Sequence, residues 1–90
     1  MENHKHRNHK QLINRMSRIV GHSEANKRML EAEEECSAIL IQIAAVKSAL
    51  NNVGKFVLKD HMNHSIVEAV ENNDQEALRE LDEAIDKFIK

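Results

Sequence analysis

Apolar residues recur at helical spacing from Ile39 and Leu40 through Ile43, Val46, Leu50, Val53, Val57, Leu58 and Met62 to Ile66, and no proline occurs anywhere in the 90 residues to interrupt them. A helix of that length exposes a long apolar seam, and so short a chain has little else with which to cover it. The fold expected is all-α, with further copies of the chain as the natural source of additional core. Only two glycines, Gly21 and Gly54, and an abundance of Ala, Leu, Ile, Glu and Lys fit the same class.

The rest of the chain divides around that seam. Residues 1–5 read as a polar, histidine-bearing tail. A first helix is expected from about Arg7 to Ala32, carried by Leu12, Ile13, Met16, Ile19, Val20, Met29 and Leu30. Gly21 inside it costs about 1 kcal/mol relative to alanine, which suggests close packing or a local bend. The acidic run Glu31 to Glu35 can turn the chain, and its charge favours the start of the next helix. That second helix should begin near Glu34 or Cys36 and reach about Val70. After Asn72 and Asn73, Asp74 is a plausible N-cap for a short third helix from Gln75 to Ile89, burying Leu78, Leu81, Ile85, Phe88 and Ile89. Residues 1–90 are thus expected to form a single helical domain.

Charge is distributed unevenly. Lys5, Arg7, Lys10, Arg15, Arg18, Lys27 and Arg28 stand against Glu2 and Glu24 in the first 28 residues, giving +5, while the remainder carries −7. A basic helix joined to an acidic remainder suggests an anionic partner, nucleic acid being the commonest, and the alternative is a solvated face that happens to be basic. The longest nearly unbroken apolar run, Ala38 to Val46, is interrupted by Gln42 and is far short of the roughly 20 residues of a membrane span. The first residues do not form a secretory segment. A cytoplasmic protein with no membrane partner is expected. The lone cysteine, Cys36, cannot form an internal disulfide and is either buried packing, a nucleophile or a ligand.

Cys36 and His61 are 25 residues apart on one face of the second predicted helix. At 1.5 Å per residue that is roughly 38 Å, so they cannot meet within one molecule. If two copies of the helix pack antiparallel and cross between Ser48 and Ala49, Cys36 of one falls opposite His61 of the other. Ala44, Ala45, Ser48 and Ala49 would let the backbones approach closely at the crossing. A hairpin turn near Glu33 adds another candidate, since His4 lies 29 residues before it and His61 28 after. His64, three residues beyond His61, lies near the same helical face. Thiolate and imidazole together suit nickel, cobalt, zinc or copper. The alternatives are a Cys36 that packs at the start of a helix, a His61 satisfied at the edge of the seam, and a histidine-rich start at His4, His6 and His9 with no defined role. His22 has no evident partner.

No hydrolytic constellation is legible, because the serines and carboxylates lack a glycine-rich elbow or a paired-acid spacing, and an enzyme is not expected. The first two helices are too long for a compact helix-turn-helix. Any DNA contact must come from a charged face.

Arg15 to Gly21 (RMSRIVG), Cys36 to Val46 (CSAILIQIAAV) and the pair Asp60-His61 together resemble the CsoR/RcnR family of small ligand-responsive repressors over nearly the whole chain. The resemblance implies an all-helical antiparallel dimer, a four-helix bundle with a short third helix in each protomer, assembling further into a tetramer. Such a protein binds double-stranded operator DNA and releases it on ligand binding. The resemblance also implies metal ligands at Cys36 and His61, an N-terminal histidine matching His4 in nickel or cobalt sensors, and DNA contacts at Arg15 and Arg18. Lys27 and Arg28 extend the basic helix and are further candidates for DNA contact. Ser65 stands where the family's third ligand would be, which disfavours copper and leaves His4 or His64 to complete the set. Formaldehyde-sensing members also lack a strong ligand there, though they typically carry proline after the initiator, where this chain has Glu2. In that alternative no metal is needed: the Cys36 sulfur adds to the aldehyde carbon, and a neighbouring amine closes a methylene bridge with loss of water. A rival of another class is a helical metal-buffering or adaptor protein that never touches DNA.

Overall fold

The computed structural model describes the backbone of residues 3–90 and the side chains from residue 9 onward. All the elements it contains among those residues are helical, as expected, and its internal contacts group into two compact units, residues 1–53 and 54–90.

The first unit opens with α1, Asn3–Glu31. It begins earlier than Arg7, so residues 3–5 belong to a helix rather than to a tail; between Asn3 and Glu31 only Gly21 opposes helical backbone. Arg28 in the last turn complements the negative end of the helix dipole. The helix is closed by a left-handed residue, Glu33, at φ 53°. The Glu33 N–H donates to the Leu30 carbonyl at 3.0 Å and the Glu34 N–H to the Met29 carbonyl at 3.1 Å, the paired bonds of a Schellman turn. The reversal expected near Glu33 is therefore present.

Cys36–Phe56 forms α2, and residues 46–53 of it face residues 15–22 of α1. Leu12 and Ile19 of α1 and Ile39 and Val53 of α2 are buried. Many of the other apolar side chains of these two helices are not: Ile13, Val20, Leu40 and Ile41 are each at least half exposed. Gly21 has open space where a β-carbon would stand, so nothing among the described residues packs closely enough to require it.

In the second unit the helix continues without a break, but not as an α-helix throughout. Val57–Met62 forms a π-helical segment, in which each N–H reaches one residue further back, and α3 resumes over Asn63–Glu71. The backbone at Phe56 and Asn63 stays right-handed helical, so the segment joins its neighbours smoothly. The single long α-helix expected here is thus correct in extent, Cys36 to Glu71, and interrupted in register. A second Schellman turn ends it. Asn73 is left-handed at φ 54°, its N–H donates to the Val70 carbonyl at 3.1 Å, and the Asp74 N–H donates to the Ala69 carbonyl at 2.9 Å.

Asp74 then caps α4, Gln75–Ile89, its carboxylate accepting from the Ala77 N–H at 3.0 Å. Leu78, Leu81 and Ile85 turn their half-buried side chains inward, and Ala69 on α3 is buried. Phe88 and Ile89, expected in the core, are 41% and 71% exposed. The Phe88 ring nonetheless has a specific seat, filling the space a β-carbon would need at Gly54. Arg79 pairs with Glu76 and with Glu83 on the outer face of α4. All three side chains are more than half exposed, so these pairs contribute only a few tenths of a kcal/mol each.

By length and composition alone, the continuous helix Cys36–Glu71 is long and apolar enough to cross a bilayer, although its longest nearly uninterrupted apolar run is short. Gln42, Lys47, Asn51 and Asn52 recur along it, and such groups are costly in hydrocarbon.

Candidate metal site and nucleic-acid surface

Arg15, Arg18 and His22 follow one another at i, i+3 and i+7, which places all three on one face of α1. Asn52 of α2 stands across from them. Together they rim a hollow of about 330 Å³ whose floor is apolar, made by Ile19 and Val53, both buried, and the half-buried Val46 and Ala49. The four rim residues are exposed. Two guanidinium groups thus share a concave surface with an imidazole and a carboxamide, with no carboxylate on its lining. Arginine's planar fork of donors suits phosphate or carboxylate oxygens, and the amide and ring nitrogen can donate to the same kind of group.

Sequence reasoning singled out Arg15, Arg18, Lys27 and Arg28. The structure brings the first two together in the hollow and leaves the other two outside it. Lys27 pairs with Glu31 at 3.7 Å, one turn on, with both side chains well exposed. Such a pair holds the ammonium only weakly. Arg28 is exposed in the last turn. Sequence reasoning missed Asn52 and left His22 without a role; the signal was the match between the spacing of Arg15, Arg18 and His22 and that of Val46, Ala49 and Val53 in a hairpin reversing near Glu33.

Cys36 is the first residue of α2, and its side chain is exposed, so it is not a packing residue of the single chain. The turn at Glu33 and the Ile39 N–H bond to the Glu35 carbonyl at 3.1 Å fix where the helix starts and therefore where the sulfur stands. His61 lies inside the π-helical segment, half-buried, with its Nε2 atom shielded from solvent. His64 is on the first turn of α3 and exposed, and Asp60 is exposed as well. Ser65 is half-buried and lines a separate hollow of about 310 Å³ between α3 and α4 with Glu68, Asn72, Asp74 and Glu80. The side chain of His4 lies outside the described residues. Among the described residues, one chain brings no three of its His, Cys, Asp and Glu side chains together in a way that could hold a metal ion. A site using Cys36 or His61 needs donors from another copy of the chain or from residues 1–8.

The sequence pattern of metal-sensitive transcriptional repressors matches residues 8–87. The copper-sensing transcriptional repressor CsoR of Bacillus subtilis is 37% identical over 94 residues, covering 97% of this chain and 93% of that protein. Two solved structures are similar in fold as well as sequence. The nickel-responsive transcriptional regulator InrS is 42% identical with a TM-score of 0.69, the match covering 88% of this chain and 90% of InrS. The copper-sensing repressor CsoR from Geobacillus thermodenitrificans, solved with Cu(I), is 35% identical with a TM-score of 0.79, over 90% of this chain and 85% of the other.

Proposed function

The chain belongs to the family of metal-sensitive transcriptional repressors, and from that membership we propose that it grips operator DNA in the cytoplasm through the basic face of α1 and lets go when a transition-metal ion binds between two copies of the chain. Arg15 and Arg18 supply the central grip on the phosphates, with Lys27 and Arg28 adding charge further along the helix. Cys36 of one copy and His61 of another, joined by His4 or His64, would hold the ion. One sulfur with imidazole nitrogens suits nickel, cobalt or zinc, and the lack of a second sulfur at Ser65 disfavours Cu(I). A bound ion supplies a cross-link between subunits, and only its greater affinity for the arrangement that does not fit DNA can shift the equilibrium.

The observation that carries this reading is the exposed Cys36 sulfur at the fixed start of α2. The exposed seam supports the oligomer. Ile13, Val20, Leu40, Ile41, Ile43 and Leu50 are exposed large apolar side chains, and in this reading an antiparallel second copy covers apolar surface of that kind in the dimer, two of which form the tetramer.

The test is the affinity for a duplex from the region upstream of the chain's own gene, measured by fluorescence anisotropy with nickel, cobalt, zinc, Cu(I) or formaldehyde added in turn. The parent should release DNA with one of the divalent ions, and Cys36→Ala should stay bound. An alanine variant that responds like the parent removes Cys36 from the sensor. The absence of a strong donor at Ser65 favours one second reading, in which formaldehyde is the effector and Cys36 is modified covalently. Release by formaldehyde alone, with the added mass of a methylene bridge, would select it.

A further inference from the structure

We infer that the hollow between α1 and α2 is a phosphate-binding site in which His22 and Asn52 hold the same anion as Arg15 and Arg18. The inference deepens the repressor reading by naming how the basic face takes hold of the nucleic-acid backbone, and in that respect it rests on it. A row of exposed cations on a convex helix attracts phosphates without fixing one. Here the cations stand on the wall of a depression, and the opposite wall contributes a carboxamide from a different helix. Donors from two directions can surround a tetrahedral anion, which a single helical face cannot do.

The lining also fits what is attached to the anion. Ile19 and Val53 form a buried apolar floor, and about 330 Å³ is room for a phosphate with its sugar rather than for an inorganic ion alone. A phosphodiester can lodge its charged oxygens among the rim donors while the carbon edge of the adjoining deoxyribose lies against the apolar part of the lining. Nothing in such a contact reads a base, so the site positions the duplex and adds affinity common to all sequences. A free phosphate monoester presents the same oxygens, and only experiment separates the two sources.

Asn52→Asp introduces a carboxylate opposite the guanidinium groups while keeping the size of the side chain, and His22→Ala removes one donor. Both positions are exposed, so the fold should survive, as circular dichroism melts will show. Duplex affinity is measured by anisotropy at two salt concentrations and constant pH, beside Arg15→Ala and Arg18→Ala. In parallel, inorganic phosphate is titrated at constant ionic strength while the side-chain resonances of His22 and Asn52 are followed by NMR. The expectation is about a tenfold or greater loss for Asn52→Asp and about a threefold to tenfold loss for His22→Ala, with the affinity for metal unchanged in both. If the arginine variants lose DNA and the His22 and Asn52 variants do not, the inference is overturned and the repressor reading stands. If the parent binds no duplex at all, the repressor reading fails. The phosphate titration then decides: shifts at both residues keep the site as one for a free phosphate ester, and unmoved resonances remove it.

Discussion

Glu33 and Asn73 occupy equivalent positions, each the left-handed residue that closes a helix, yet they are not equally suited to it. Asparagine tolerates that backbone because its short side chain can bond locally, whereas glutamate's β-carbon crowds the following carbonyl at a cost of about 1 kcal/mol. Glycine would remove the crowding and lose some of the gain to unfolded-state entropy. Glu33→Gly should therefore stabilise the protein by a net of about 0.5 kcal/mol, read as a raised midpoint in urea with an unchanged slope. Asp74→Ala acts in the opposite direction. It deprives the Ala77 N–H of its acceptor and should cost about 1 kcal/mol, lowering the thermal midpoint by a few degrees.

At the scale of the elements, Phe88 and Gly54 make a contact that can be broken from either side. Phe88→Ala should cost about 1 kcal/mol, well under the 3–5 typical of a core phenylalanine, because much of the ring already faces water. Gly54→Ala should displace the ring instead, seen as loss of its NMR contacts with residue 54 and faster amide exchange over the last turn of α4. The boundaries of α4, the start of α2 at Cys36 and the reversal at Glu33 were legible because each is marked by residues of distinct local chemistry: an Asx cap, an acidic run, a change in apolar spacing. The π-helical segment carried no such mark. It uses the same residue types as an α-helix and differs by one position in its bonding. In retrospect the consecutive four-residue steps from Gly54 through Leu58, Met62 and Ile66 to Val70 exceed the α-helical mean of 3.6 residues per turn and hint at it. The hollow on α1 and α2 was half legible: the arginines stood out by charge, while His22 and Asn52 acquire meaning only once two helices face each other.

For the whole molecule, the open apolar seam predicts that stability depends on concentration, since whatever binds only the folded chain, a second copy included, raises the melting temperature by mass action. Dilution should lower the midpoint measurably, and Ile43→Glu should shift the species seen by light scattering to smaller mass. DNA affinity should fall steeply with salt in proportion to the phosphates neutralised, and the Arg15→Ala variant should show a shallower slope. The length of the apolar seam was legible in the sequence, which could not show which of its residues one chain covers by itself. Following these changes by intrinsic fluorescence is impractical, because the chain has neither tryptophan nor tyrosine. Its two phenylalanines offer a better handle. Phe56 immediately precedes the π-helical segment that carries His61, and Phe88 rests on Gly54 just before it. A chain grown with fluorophenylalanine would give two fluorine resonances, both beside the imbalance in helical register, against a spectrum otherwise blank. Whatever effector engages that histidine should be visible there without any engineered label.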